Sequence, residues 1–461
     1  MQKIFDEVNS LDKRCYEEFG LSEDILMEHA ALSMQLYIQE NHSDKKTILI
    51  ACGCGNNGAD GIALARLLHK KFDVSLYFYS KAKSQMAILQ EKRAKALDIP
   101  IIEEVISSDI IVDCIFGTGL NKALDDDAVL LINELNSLDA IKIACDIPSG
   151  ISFDGQVKSV AFDADVTITM GALKTSLFSD IAKDFVGEIK VANLGVQREI
   201  YETSTNKYLL EKKDLKLPNR KKHNSHKGSY GHLNVVAGCK KGAGIIAAKA
   251  AFGFGTGIVS VVCHENLDLP YHIMQTHFIS KNCTAIAIGM GLGNYEIAEV
   301  QKILAKDVKK IVDADLFYDE LLLDALDEDI VLTPHPKEFC SLLKLSNIAD
   351  ISVEQLQNNR IKYVEEFTSK YPKVVLLLKG TNVIISQGKN LYINTFGSAV
   401  LSKGGSGDVL SGLVGSLLAQ GYEPLDAAIS ASLAHALAGA NYKKNDFSLI
   451  PSDLIEEVRR L

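Results

Sequence analysis

Two short stretches pair anion-binding glycines with polar side chains able to do chemistry. KGGSGDVLSG, Lys403 to Gly412, sets four glycines around Asp408 and runs into an apolar segment with helical spacing. Backbone amides of Gly404 to Gly407 at a helix start suit an anion, because the first amides lack internal partners and the macrodipole adds positive potential. A carboxylate beside such a hole suits a base that takes a proton from a hydroxyl near a bound phosphate. A plain helix N-cap is the alternative for Asp408. GNNGADG, Gly55 to Gly61, follows the apolar run TILIACG and leads into ADGIALARLLHKKF, which is apolar at Ile62, Ala65, Leu68 and Phe72. Amides from Asn57 to Ala59 can face a phosphate there, or the segment is a tight strand-to-helix turn. The spacing is neither a Walker loop nor GxGxxG.

Other candidate groups also follow apolar runs. IIVDCIFGTGL puts Asp113 near a strand end, with Gly117 and Gly119 just after, and IACDIPSG does the same for Asp146, Pro148 and Ser149. Ligands of open α/β sheets gather at carboxyl strand ends. Oxygens of Asn57, Asp113, Asp146 and Ser149 suit a hard cation, and equally an acid/base site around a phosphorylated ligand. In the second half, LLLKGTNVIIS ends a strand at Lys379-Gly380, LTPHPKEF sets His335 between two prolines, and AIGMGLG carries Gly289, Gly291 and Gly293 after another strand.

Positioning these groups requires alternating strands and helices. To about residue 205, TILIACG, VSLYFYS, IIVDCIF, IKIACDIP, VTITMGA and EIKVANLG read as buried strands, with SQMAILQEKRAKAL as an amphipathic helix and Leu21 to Glu40 as a helix capping the domain. Such alternation predicts a parallel sheet covered on both faces. The polar stretch LEKKDLKLPNRKKHNSHKGS breaks the order and is read as a linker. A second alternation follows, from HLNVVAG through GIIAAKAAFGFG, IVSVVC, AIAIG, KKIVDAD, DIVLTP, VVLLLKG, NVIIS and LYINTF to the helical VLSGLVGSLLAQ and AAISASLAHALAGANY. The expectation is two α/β domains, 1–206 and 207–461.

Composition excludes several classes. The 461 residues are 47% hydrophobic and 23% charged with a formal net charge of −10, so no basic field attracts nucleic acid. The run Arg220–Lys222 with His223 and Lys227 reads as a solvated linker. No apolar run approaches the ~20 residues of a membrane span, and MQKIFDEVNS lacks the form of a signal peptide. None of the nine cysteines forms a CxxC pair, which suits buried, reduced thiols. A soluble cytoplasmic protein is expected. The small-residue helices near Ala247 and Ala434 suit either a core or the interface of a homo-oligomer.

GNNGADG, DCIFGTGL and DIPSG, in this order, resemble the NAD(P)H-hydrate epimerase family over nearly the whole first half. The resemblance implies a Rossmann-like three-layer fold that interconverts the R and S forms of hydrated NADH and NADPH. It implies potassium at Asn57, Asp113 and Ser149. It implies substrate contacts from Asn56, Asn57, Gly58, Ala59, Asp60, Gly117, Thr118, Gly119, Leu120, Asn121, Lys122, Ala123 and Asp146. Asp113 is the residue expected to act as acid/base. Ala59 departs from the family's usual glycine, which would cost roughly 1–2 kcal/mol if that position needs a positive φ.

SHKGSYGHLNVVAG, GMGLG, TPHPKEF, KGTNVII and GGSGDVLSG resemble the ADP/ATP-dependent NAD(P)H-hydrate dehydratase family, over about residues 207–461. This implies a ribokinase-like domain that removes water from the S form of the hydrated cofactor. Ala243, Gly291, His335 and Asp408 would contact that substrate, and Lys379, Gly380, Thr381, Asn382, Val383 and Gly407 the adenine nucleotide, ADP by analogy or ATP, with Mg2+ as companion. Lys337 replaces a usual glycine, GCKKGAG is shorter than the family's turn, and Ser406 stands for the commoner threonine. The alternative is a ribokinase-like small-molecule kinase whose first half is a non-catalytic nucleotide- or RNA-binding module.

Overall fold

The computed structural model describes residues 1–120 and 122–461; Asn121, expected among the substrate contacts, lies outside the described residues. The chain divides into two compact units, Lys3–Thr205 and Asn206–Leu461, the latter joined by Met1 and Gln2.

In the first unit seven strands form one sheet: β1 (Thr47–Cys52), β2 (Asp73–Phe78), β3 (Ile101–Ile102), β4 (Ile110–Cys114), β5 (Ile141–Cys145), β6 (Val166–Met170) and β7 (Glu188–Ala192). Their spatial order is β3-β2-β1-β4-β5-β6-β7, and every pairing is parallel. The direction of winding reverses between β1 and β4, which opens a crevice at their carboxyl ends. The strands read as unbroken apolar runs because both faces are covered. Ile48, Ile50 and Cys52 of β1 enter one core, with Ala59, Ile62 and Leu68 of α2 (Asn56–Leu68) and Met34 and Ile38 of α1 (Glu23–Asn41). Leu49 and Ala51 enter the other, against Leu131, Ile132 and Leu135 of α4 (Asp126–Ser137); the remaining labelled helix, α3 (Gln85–Ala96), buries Ala87 and Ala94 on the first side. The helix expected over Leu21 to Glu40 is α1, started by the Ser22 hydroxyl accepting from the Ile25 amide.

In the second unit ten strands follow: β8 (Lys207–Leu209), β9 (His232–Val236), β10 (Ile258–Val262), β11 (Met274–Thr276), β12 (Ala285–Ile288), β13 (Lys309–Val312), β14 (Ile330–Leu332), β15 (Val375–Leu378), β16 (Val383–Gln387) and β17 (Asn390–Asn394). The order is β11-β10-β9-β12-β13-β14-β15-β16-β17-β8. Pairing is parallel from β11 to β15, and β16 runs antiparallel to both neighbours. The unit's longer helices include α5 (Lys241–Gly253), α6 (Pro336–Leu345), α7 (Arg360–Lys370), α8 (Ser406–Ala419) and α9 (Pro424–Asn441). Helix α8 is buried all round, from Val409 to Ala419, as an apolar circumference requires. A side chain at Gly412 would put its Cβ 2.3 Å from the Ala247 carbonyl oxygen, so glycine there lets α8 lie against α5. Ala247 and Ala434 both sit in this core, so the small-residue faces serve packing inside the unit.

The polar stretch from Leu210 to Ser229 is part of the second unit rather than a linker between domains. Leu215 and Leu217 pack on the core, Lys216 Nζ reaches Asp426 at 2.8 Å, and the Arg220 guanidinium lies over the Tyr230 ring at 4.1 Å. Alternate leucines in a charged run bury one side and leave the ions in water. All nine cysteines are unpaired. Among the described residues no helix is long and apolar enough to cross a membrane.

Candidate functional site

In the first unit a cavity of about 590 Å³ opens where β1, β4, β5 and β6 end. Its walls include Asn56, Asn57, Asp60, the turn Gly117–Leu120, Lys122, Ala123 and Asp146, together with Asp12 from the helix Asn9–Glu18. GNNGADG is not a free loop: α2 starts at Asn56, with Gly55 as its N-cap. Its first-turn amides are the donors aimed outward. Gly58 is required there, since a Cβ would lie 2.0 Å from the Gly53 carbonyl oxygen. Ala59 is helical and fully buried, outside the positive-φ region, so alanine carries no strain.

Asp113 sits deeper than its strand-end position suggests. It is fully buried and absent from the cavity wall. Its Oδ1 accepts from the Ser149 hydroxyl (2.6 Å) and the Ile115 amide (3.1 Å), and its Oδ2 from the Ser149 amide (2.7 Å). Burial pushes its pKa up to about 6, against these three hydrogen bonds. The Ser149 hydroxyl also accepts from the Phe116 amide (2.8 Å), and Asn57 Nδ2 donates to the Phe116 carbonyl (3.0 Å). Asn57 Oδ1 is buried with no hydrogen-bond partner among the described residues. Asn57, Asp113 and Ser149 therefore converge on the loop after β4, as an oxygen-rich nest with one orphaned acceptor.

Asp146 has the opposite placement. It follows β5 in a left-handed conformation (φ 69°) and lines the cavity. Its Oδ1 accepts from Lys174 Nζ (2.6 Å) and the Met170 amide (3.0 Å). Lys174 is 2% exposed, on a two-residue strand paired in parallel with Ile4 and Phe5, and it also donates to Thr169 Oγ1 and the Met170 carbonyl. Asp60 has no such partner among the described residues, and burial with Asp146 and Asp12 nearby holds its carboxyl far above the usual range. Asp12, which accepts from the Tyr201 hydroxyl at 2.8 Å, is also raised by burial. One cavity thus holds an ion-paired carboxylate beside two carboxyls whose pKa burial raises.

In the second unit the GSGD turn becomes the start of α8, with Gly405 (φ 89°) as its N-cap and Asp408 in the first turn. Lys379, at the end of β15, reaches this turn: a Cβ on Gly407 would lie 3.5 Å from its Nζ. Lys379 Nζ donates to Asp313 Oδ1 (2.8 Å) and lies 3.9 Å from Glu338 Oε2. Asp313, after β13, also accepts from the Ser411 hydroxyl of α8 at 2.6 Å. It therefore ties β13, the KGTNV turn and α8 together. Burial, then Asp313, raises the Asp408 carboxyl to about 6, with Lys379 opposing.

His335 caps α6; its Nδ1 accepts from the Lys337 (3.1 Å) and Glu338 (3.3 Å) amides, which puts the ring proton on Nε2, 3.2 Å from Glu338 Oε1. Burial pushes the Glu338 carboxyl up to about 7, and burial with Lys379 lowers the His335 imidazole. Lys337 points its amide at this cap, so the departure from glycine is accommodated. Gly291 (φ 59°) approaches Ala243: a Cβ on it would lie 3.1 Å from the Ala243 Cβ, and the Lys240 amide donates to the Gly291 carbonyl. The turn at Gly380 to Asn382 is held from behind by Arg360, buried in α7, whose Nη atoms donate to the carbonyls of Leu378, Lys379 and Asn382. A Cβ on Gly380 would meet Arg360 Nη2 at 2.4 Å, so a side chain there would displace the guanidinium that holds the turn. Val383 begins β16 directly after.

Lys174, Asp12, Asp313, Glu338 and Arg360 escaped the sequence reading. Glu338 had a signal, the capping spacing from His335; the others act across long sequence separations.

Residues 23–176 match the family model for the YjeF-related protein N-terminus, and residues 233–460 the model for NAD(P)H-hydrate dehydratase. Over their full lengths the chain is 45% identical to the bifunctional NAD(P)H-hydrate repair enzyme Nnr of Helicobacter pylori. It is 32% identical to that of Dictyoglomus turgidum, over 98% of this chain and 96% of the relative. Among solved structures, the ADP/ATP-dependent NAD(P)H-hydrate dehydratase from Bacillus subtilis, co-crystallised with ATP/Mg2+, is similar to 56% of this chain and 98% of its own, at 26% identity and a TM-score of 0.48. Identity that spans both units at this level assigns the family: the chain belongs to the bifunctional NAD(P)H-hydrate repair enzymes.

Proposed function

We propose that the first unit interconverts the R and S forms of hydrated NADH and NADPH, and that the second dehydrates the S form at the expense of ADP or ATP. The observation that carries the second activity is Asp408 in the first turn of α8, beside Lys379 and the amides that open the helix. Hydroxide is a poor leaving group, so the ring hydroxyl must be activated before its bond to carbon breaks. Asp408 takes that hydroxyl's proton as its oxygen bonds to the nucleotide's terminal phosphorus and the bond from that phosphorus to the rest of the nucleotide breaks; phosphate then leaves the ring carbon while the neighbouring carbon gives up a proton, which restores the double bond. Lys379 and the Gly407 amide would hold the terminal phosphate. His335, neutral and held by Glu338, faces the hydrated ring with Gly291 and Ala243. Mg2+, when bound with the nucleotide, supplies charge neutralisation on the phosphates.

For the first unit the geometry favours Asp146 over Asp113 as the group that meets the ring. The carbon that carries the hydroxyl also carries the ring nitrogen. Protonated Asp60 gives its proton to the hydroxyl, water leaves, and the nitrogen lone pair fills the vacated orbital. Water then adds to the other face and Asp146 takes its proton. Asn57, Asp113 and Ser149 fit potassium: they are hard oxygen donors, and Asn57 Oδ1 lacks a partner. Bound potassium would fix the loop that carries Gly117 to Gly119.

The test mixes the protein with both epimers of hydrated NADH, with ADP, with ATP and with neither, and follows NADH absorbance. Full recovery that requires nucleotide supports both activities. Recovery that stops when S is exhausted removes the epimerase, and no recovery with either nucleotide sinks the reading.

Three further outcomes are expected. Exchanging potassium for tetramethylammonium slows epimerisation in the wild type, and Asn57→Ala is slow in both salts. Arg360→Met raises the KM for nucleotide about tenfold or more, since the turn loses hydrogen bonds from a charged donor worth ~1.5–3 kcal/mol each, while kcat changes less. Asp313→Asn removes a negative neighbour of Asp408 and frees Lys379 to face it. The acid limb of the dehydration profile then moves below about 6, the value for Asp408 in the intact site. Rate profiles from pH 4 to 8 check this.

A further inference from the structure

Beside the first cavity lies a second, also of about 590 Å³, and Cys54, Phe116 and Asp125 line both. The two rooms therefore share a wall, and Asp146 lines only the first. The substrate of this site, on the reading above, is two nucleotides joined by a pyrophosphate, and its reacting ring belongs with the carboxylates of the first cavity. The adenosine half must then lie within one dinucleotide's reach.

The second cavity has the chemistry for it. Tyr79 and Phe116 meet edge to face with centroids 5.7 Å apart. The Tyr79 hydroxyl donates to Asp125, which also caps α4 by accepting from the Ala128 amide at 2.9 Å. Tyr79 is thus held rigid, and a fixed aromatic face stacks a purine at little entropic cost. Around the rings stand Asp125, Asp127 and Glu134, against one cation among the described residues, Lys83. Carboxylates accept hydrogen bonds from ribose hydroxyls and the purine amine, and they repel a phosphate on the ribose.

We propose that this second cavity is the subsite for the adenosine half of the hydrated dinucleotide, and that its carboxylates favour hydrated NADH over hydrated NADPH in epimerisation. The inference rests on the first unit being the epimerase.

Epimerisation kinetics test it, measured without ADP or ATP on the full chain with hydrated NADH, hydrated NADPH and hydrated nicotinamide mononucleotide, which lacks the adenosine half. The wild type is expected to use hydrated NADH with a kcat/KM at least about tenfold above the mononucleotide, and above hydrated NADPH by a smaller factor. In Tyr79→Leu the advantage over the mononucleotide collapses, and in Asp127→Lys the order of NADH and NADPH forms reverses. A wild type that handles mononucleotide and dinucleotide equally overturns the subsite, however the variants fold. So does a Tyr79→Leu protein that keeps the full advantage. A wild type that epimerises none of the three removes the epimerase reading, and the subsite with it, a result distinct from either.

Discussion

Asp408→Asn stops NADH recovery from the S hydrate, by roughly 10²–10⁴-fold, the range for a lost general base, while exchange between R and S continues. The side chain keeps its size, and α8 keeps its apolar packing, so the protein folds. Only the ability to accept a proton is lost. The wild-type pH profile carries the same signature. The Asp408 carboxyl titrates near 6, and the reaction needs it ionised. The rate therefore falls about tenfold per pH unit below that value and is flat above it, until another group intervenes. Absorbance assays on purified S hydrate check both points, and chromatographic resolution of the two hydrates checks that epimerisation survives. Groups facing Asp408 bear on the result: Asp313 raises it and Lys379 lowers it, with Glu338 and His335 behind Lys379. Loss of both activities in Asp408→Asn contradicts the independence of the two sites.

Asp146→Asn is expected to slow epimerisation by a similar factor, about 10²–10⁴, leaving dehydration of pure S hydrate intact. Asp146 is the cavity's ion-paired carboxylate, and the amide cannot take a proton from attacking water. Asparagine still accepts from Lys174 and the Met170 amide, so the loss of stability is small. Lys174→Met is the companion. It strands Asp146 without its counter-ion, and breaking one side of a buried pair costs about 3–5 kcal/mol. Its denaturation midpoint falls, and epimerisation slows because Asp146 has lost the cation that holds it in place. Asp113→Asn distinguishes the two strand-end aspartates. An epimerisation loss there that is absent in Asp146→Asn contradicts the assignment of the base to Asp146.

Much of this arrangement was legible. Strand runs such as TILIAC and IIVDC are apolar throughout because both faces are covered, so they stand out in a linear reading, and glycine-rich turns mark their carboxyl ends. Gly58 and Gly412 report close approaches that only glycine permits. Depth was not legible. Asp113 and Asp146 look alike as residues at strand ends, yet one hydrogen-bonds inward to Ser149 and Ile115 and the other faces the cavity from a left-handed turn. Asp113 lies inside its strand, whereas Asp146 follows the end of its own. The stretch from Leu210 to Ser229 misled for a related reason, since its charge is visible in one dimension and the burial of Leu215 and Leu217 is not.

Residue order alone determined two α/β units, the turns that carry the candidate chemistry and the resemblance to a repair enzyme, because these depend on local periodicity and on motifs short in sequence. Tertiary structure decided which groups act together. Lys174 reaches Asp146 across 28 positions, Lys379 reaches Asp313 across 66 and Ser411 reaches Asp313 across 98. Parallel sheets bring the ends of distant strands side by side, so the charged neighbours that add to burial in raising Asp408 and Asp60 come from residues far apart along the chain.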